Sequence, residues 1–83
     1  PIPKAFTFYE GKMLKICKTE LTNMQSKDKC GTIISSKDDC FFVSCGMSSV
    51  IKVVTIQAEG KKVMDVADYT KGNSIKENVI LGG

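Results

Sequence analysis

The sequence predicts an all-β fold, a small antiparallel β-sandwich of about six strands stabilised by disulfides. Short segments rich in β-branched and aromatic residues recur along the 83 residues, and turn-forming residues separate them. Four cysteines lie between residues 17 and 45 of a chain that contains no histidine. The length fits one domain spanning residues 1–83, with a thin margin of stability that disulfides would raise. A small barrel is the other architecture that this pattern allows.

The first predicted hairpin joins residues 5–10 to residues 13–21. Phe6 and Phe8 alternate with polar residues on the first strand, and we expect them to pack in the core rather than to form an aromatic platform. Gly11 supplies the turn, and the second strand is more polar, with lysines between its apolar residues.

A second hairpin is predicted from residues 31–35 and 40–45, which flank a four-residue polar loop. Residues 50–58 form the strongest predicted strand because they are dense in β-branched residues. A turn at 59–62 leads into residues 63–66. The pattern over 63–70 also has helical spacing, which eight residues cannot decide. Residues 75–81 are expected to form a last strand before a frayed glycine tail.

The cysteines are predicted to pair as Cys30–Cys45 and Cys17–Cys40. Residues 40–45, if extended, separate Cys40 from Cys45 by about 16 Å, too far for a disulfide. In the predicted register Cys30 lies opposite Cys45, which leaves Cys17 for Cys40. Zinc binding is the competing interpretation, but its ligands prefer closer Cys-X2-4-Cys spacing. We therefore expect no metal and no cofactor.

Composition excludes several classes of function. Without histidine, neither a serine-hydrolase triad nor the commonest general base is available, so no catalytic residue is predicted and the protein is not expected to be an enzyme. All 12 basic residues are lysine and the net charge is +3, which argues against a dedicated nucleic-acid reader. No apolar run is long enough to cross a bilayer.

A partner-binding surface is predicted on the polar strand at residues 13–21. This strand is the best candidate for a sheet edge, where another protein chain can add through main-chain hydrogen bonds. Lys15, Lys18 and Glu20 would then meet the charges of the partner.

The segment Phe6-Thr7-Phe8-Tyr9-Glu10-Gly11 resembles the opening hairpin of the MAX effectors, small secreted virulence proteins of plant-pathogenic fungi with a ToxB-like β-sandwich. The resemblance implies a six-stranded sandwich without enzymatic activity. It also implies a host protein as partner, such as a heavy-metal-associated domain of an immune receptor. The start at Pro1 without methionine fits a mature secreted form, extracellular or translocated into host cells.

These observations favour a monomeric, secreted fungal effector that binds a host protein through an exposed strand edge, with no nucleic acid as partner. One alternative is a secreted antifungal or killer-type toxin or inhibitor. Another is a ubiquitin-like carrier, suggested by the Gly82-Gly83 tail after a predicted strand.

Overall fold

A computed structural model describes residues 6–82 and shows a mostly β structure with one short helix. The helix, α1, is a single turn at Val66–Tyr69, and a 3₁₀ turn lies at Gly46–Ser48. The strands of the described residues are β1 (Phe6–Tyr9), β2 (Lys12–Gln25), β3 (Ile33–Ser36), β4 (Phe41–Ser44), β5 (Ser49–Ala58) and β6 (Val63–Asp65).

All of these strands join one curled antiparallel sheet in the order β1-β2-β5-β4-β3, and β6 pairs with β5. Strand β5 is central because β2 pairs along one of its edges, while β4 and β6 pair with successive parts of it. The all-β class is therefore confirmed. The β-sandwich of two sheets is not confirmed, since the described strands form a single sheet.

The core lies on the concave face of this sheet. Phe41, Ile33, Val53 and Ile56 are fully buried there, and Val66 of α1 covers one part of it. Burying a large apolar side chain stabilises the fold by about 1.5–3 kcal/mol, so this cluster supplies most of the driving force.

The first hairpin turns through Glu10 and Gly11, whose φ angles are 50° and 83°. Tyr9 pairs with Lys12, so the loop has two residues, and positive φ at both positions matches the twist of the flanking strands. This turn fixes which side chains of β1 and β2 face each other.

A glycine bulge precedes β3. The N–H of Gly31 donates to the Ser44 carbonyl, and the N–H of Ser44 donates to the Thr32 carbonyl, so two residues oppose one. Gly31 has a φ of 96°, as this kind of bulge requires. The predicted register of the hairpin, Ser35 opposite Cys40, is wrong, because Ser35 pairs with Phe42.

The C-terminal segment closes the curled sheet. Leu81 donates its backbone N–H to the Gly31 carbonyl at 2.8 Å, and Gly82 donates to the Phe8 carbonyl at 2.7 Å. Residues 78–82 therefore connect the free edge of β3 to β1. The predicted strand at 75–81 is reduced to one bridge, Thr32 with Ile80, and Gly82 is held rather than frayed.

Candidate functional site

The four cysteines are free thiols, so the prediction of a disulfide-stabilised fold is wrong. Cys40 and Cys45 are buried, whereas Cys17 and Cys30 are exposed. Burial raises the pKa of the Cys40 thiol, and the neighbouring Asp39 raises it further. Burial also raises the pKa of Cys45, with a smaller contribution from nearby Cys30. These shifts favour the protonated, less reactive form of both buried thiols.

The two predicted pairings differ in their geometry. Cys30 and Cys45 line one apolar depression of about 250 Å³ beside the closing C-terminal segment. Strand β5 lies between β2, which carries Cys17, and β4, which Cys40 directly precedes. Two strand spacings are about 10 Å, beyond the reach of a disulfide, so this fold does not bring Cys17 to Cys40.

No group of three metal-ligating residues is close enough to hold an ion within residues 6–82. None of the helices in that range is long and apolar enough to span a bilayer.

The outer face of the sheet, opposite the core, carries the candidate site. Phe6 pairs with Lys15, and Lys15 pairs with Gln57, so these side chains share one face. Phe8 pairs with Met13 in the neighbouring row, and Val63 extends the first row beyond Gln57. We call this surface the outer face; its members are Phe6, Phe8, Met13, Lys15, Lys18, Gln57 and Val63.

The expectation that Phe6 and Phe8 pack in the core is wrong. Phe6 is 54% exposed and Phe8 is 47% exposed, while Thr7 between them is half-buried. The pairing of Phe6 with a lysine, Lys15, could have revealed this, because cross-strand partners share a face. The ammonium of Lys15 lies 5.4 Å from the centre of the Phe6 ring, a cation–π contact.

The predicted binding residues Lys15, Lys18 and Glu20 do not lie together on a free edge. Lys15 is flanked on both sides, by β1 and by β5. Lys18 and Glu20 lie farther along β2, where β5 is the one pairing strand among the described residues. Glu20 forms an ion pair with Lys52 at 3.6 Å.

A bulge in β2 places Lys18 on the outer face. Ile16 pairs with Ile56 and Lys18 pairs with Thr55, so Cys17 is the extra residue. Since Thr55 and Gln57 alternate with buried Ile56, Lys18 lies on the same face as Lys15. The bulge therefore aligns two lysines that simple alternation would separate.

The outer face continues into a cleft at one end of the sheet. A groove of about 220 Å³ is lined by Phe6, Met13, Lys15 and Gln57. The adjoining cleft of about 450 Å³ shares Met13, Ala58 and Glu59 with that groove. Its lining also includes Tyr9, Lys12, Lys61, Tyr69 and Lys76.

Most lysines on this surface are free to meet an external anion. Among the described residues, Lys52, Lys71 and Lys76 have carboxylate partners within 4 Å. Lys12, Lys15, Lys18 and Lys61 do not, and all four belong to the outer face or its cleft. An apolar groove bordered by unneutralised lysines can accommodate a ligand with flat apolar groups and negative charge.

A second exposed apolar patch lies at the far end of β2. Leu21 is 84% exposed and Met47 is fully exposed, and Met24 is 41% exposed. The backbone N–H of Ser26 donates to the Ser48 carbonyl at 3.0 Å, which brings this end of β2 next to the 3₁₀ turn.

Comparison with known proteins identifies the relatives of the chain. Residues 1–74 match the family model described as the formyl transferase C-terminal domain. The chain is 43% identical over 82 residues to the methionyl-tRNA formyltransferase of Alkaliphilus oremlandii, covering 99% of the chain and 26% of that protein. It is 38% identical over 81 residues to that of Caldanaerobacter subterraneus, covering 98% of the chain and 26% of the relative. The chain thus spans about a quarter of the length of the curated relatives it matches.

These matches overturn the effector interpretation. The resemblance to MAX effectors covered a few residues of one hairpin, whereas the formyl transferase match covers nearly the whole chain. The predictions of a secreted fungal virulence protein, and of a toxin or a ubiquitin-like carrier, are therefore wrong. The prediction that the protein is not an enzyme is also contradicted, since the relatives are enzymes by name. The prediction of a host protein as partner and of no nucleic-acid partner is also wrong, because the names of the relatives include a tRNA.

Proposed function

Because the chain belongs to the formyl transferase C-terminal domain family, we propose that it is the tRNA-binding domain of a methionyl-tRNA formyltransferase. In this proposal the domain holds tRNA on its outer face. The other part of the enzyme, about three quarters of the relatives' length, carries out the formyl transfer.

The single observation that carries the proposal is the row of unneutralised lysines along β2. Lys15 and Lys18 lie on the outer face of β2, and Lys12 lines the adjoining cleft from the opposite face of the strand. Lysines that neutralise RNA phosphates release condensed counterions, which supplies sequence-independent affinity.

The absence of arginine from the sequence fits this kind of binding. Arginine is preferred for bidentate contacts with guanine, whereas lysine acts as a solvated point charge toward phosphate. Phosphate contacts position a nucleic acid without reading its sequence. A domain that binds the tRNA backbone needs lysines on one surface, and it does not need base-specific contacts.

The proposal is tested by fluorescence anisotropy with labelled methionine tRNA and the 83-residue chain between about 50 and 200 mM salt. We expect affinity to fall steeply with salt, and the double variant Lys15→Glu, Lys18→Glu to bind at least tenfold more weakly. The matched control, Lys27→Glu with Lys37→Glu, makes the same charge change in loops outside this face. It should bind within about threefold of the wild type. Absence of tRNA binding by the wild type, or equal losses in both double variants, would overturn the proposal.

A further inference from the structure

The outer face carries apolar side chains that the fold itself does not use. Phe6 and Val63 are each 54% exposed, Phe8 is 47% exposed and Met13 is 42% exposed. Phe6, Phe8 and Met13 lie on the same side of the adjacent strands β1 and β2, so they form one patch, and Val63 lies on the same face beyond Lys15 and Gln57. Exposed contiguous apolar surface marks a binding site more often than it marks chance.

The two phenylalanines have a spacing that suits nucleobases. They occupy alternate positions of β1, so their Cα atoms lie about 7 Å apart along the strand. Stacked bases repeat every ~3.4 Å, so a gap of twice that distance admits one flat base between two rings.

Positive charge lies where the phosphate backbone of a bound RNA strand would run. Lys15 lies directly across from Phe6 with its ammonium 5.4 Å from the ring centre, and Phe6 remains half exposed beneath it. Lys18 lies on the same face of β2, beyond the bulge at Cys17. Rings on one strand and cations on the next are the two components of single-strand binding surfaces.

From this arrangement we propose that the outer face binds unpaired nucleotides of RNA, with bases stacked on Phe6 and Phe8 and phosphates beside Lys15 and Lys18. The inference rests on the proposed function and narrows it to an unpaired stretch of the tRNA. A duplex cannot use the platform because its bases are already stacked on each other. The domain therefore distinguishes single-stranded from double-stranded RNA.

The test compares a single-stranded oligoadenylate of eight nucleotides with a 16-base-pair RNA duplex, both fluorescently labelled, and uses tRNA as a third probe. The variant Phe6→Leu, Phe8→Leu keeps two apolar side chains on β1 but removes both rings. We expect it to bind the single strand at least tenfold more weakly and the duplex within twofold of the wild type. The matched control, Leu21→Ala with Met24→Ala, removes apolar surface from the other exposed patch and should leave single-strand binding unchanged.

Two further measurements guard against misfolding. The variant Phe6→Tyr, Phe8→Tyr retains the rings and should restore single-strand binding. A 2-aminopurine base in the oligonucleotide should be quenched by the wild type and by the tyrosine variant, and not by the leucine variant. Unchanged single-strand binding by the leucine variant, or failure of the tyrosine variant to restore it, overturns the stacking inference. If the wild type and the leucine variant bind tRNA equally well, the stacking inference is wrong and the proposed tRNA-binding function stands. If the wild type binds none of the RNA probes, both the stacking inference and the proposed function are wrong.

Discussion

The backbone N–H of Gly82 donates to the carbonyl of Phe8 at 2.7 Å, which joins the C-terminal segment to the first strand. Gly82 has a φ of 82°, and a Cβ there would lie 3.3 Å from the Thr7 hydroxyl oxygen. The same Phe8 presents its ring on the outer face. The segment that closes the sheet therefore also holds the strand that carries the proposed stacking platform.

Replacement of Gly31 by alanine should destabilise the fold. Gly31 has a φ of 96°, and a Cβ would lie 3.1 Å from the Leu81 carbonyl oxygen, which belongs to the closing segment. We expect Gly31→Ala to lower the free energy of unfolding by about 1–3 kcal/mol in urea denaturation. Gly60→Ala, with positive φ but open space, should cost less, and Gly72→Ala should be near neutral. Equal effects at all three positions would show that the closing contact is not formed.

Removal of the Tyr9 hydroxyl should weaken the contact between β1 and Lys76, which precedes the closing segment. That oxygen accepts the backbone N–H of Lys76 at 2.9 Å, and the Lys76 ammonium lies 3.4 Å from Glu10. We expect Tyr9→Phe to cost about 0.5–1.5 kcal/mol and to accelerate hydrogen exchange at the Lys76 amide. Tyr69→Phe serves as the control and should leave that amide protected. Unaltered exchange in Tyr9→Phe would contradict the contact.

Alkylation should divide the cysteines by burial. Cys17 and Cys30 are exposed, and we expect iodoacetamide to label them first in the native protein. Cys40 and Cys45 should react only after unfolding, because burial keeps their pKa above the ordinary 9.0 and hinders access. Peptide mass mapping after timed quenching measures this order, and rapid native labelling of Cys45 would contradict it.

Stability should fall as the pH rises past 9. Below that value the buried thiols are protonated in both states, and above it the unfolded thiols ionise while the folded ones retain their protons. The urea midpoint should therefore decrease as the pH rises above 9. The variant Cys40→Ala, Cys45→Ala should show a shallower decrease, and Cys17→Ala, Cys30→Ala should keep the wild-type decrease.

Single charge neutralisations should report the phosphate contacts. If Lys15 contacts one phosphate, Lys15→Gln should reduce the slope of log affinity against log salt by about 1. Lys27→Gln, in a loop outside this face, should leave the slope near the wild-type value. An unchanged slope in Lys15→Gln would exclude that lysine from the interface.

Strand positions were predictable from local pattern, whereas the partners of the side chains were not. Residues 50–58 were expected as a strand and form β5, because β-branched residues there leave few other conformations. The placement of Phe6 was not predictable from alternation, since either face of β1 could have been the core face. The two-residue turn at Glu10 and Gly11, which pairs Phe6 with Lys15, decided it.

The cysteines misled for a related reason. Their number in a short chain suggested a secreted disulfide framework, and that framework then favoured a fungal effector. The predicted pairing of Ser35 with Cys40 in the second hairpin is wrong. Irregularities at residues 33–35 and at Gly31 then change the register of β3 against β4, and the end of the hairpin that carries Cys30 and Cys45 comes close to the predicted pairing. The Gly31 carbonyl also accepts from the N–H of Leu81, a contact with a distant segment that local sequence does not encode.

The most direct test of the tRNA-binding account is an NMR titration of the isotopically labelled 83-residue chain with tRNA. The account predicts that amide shifts concentrate in residues 6–9, 12–18 and 57–63, which carry the outer face and its cleft. Shifts confined to Leu21, Met24 and Met47, or none at saturating tRNA in low salt, would contradict it.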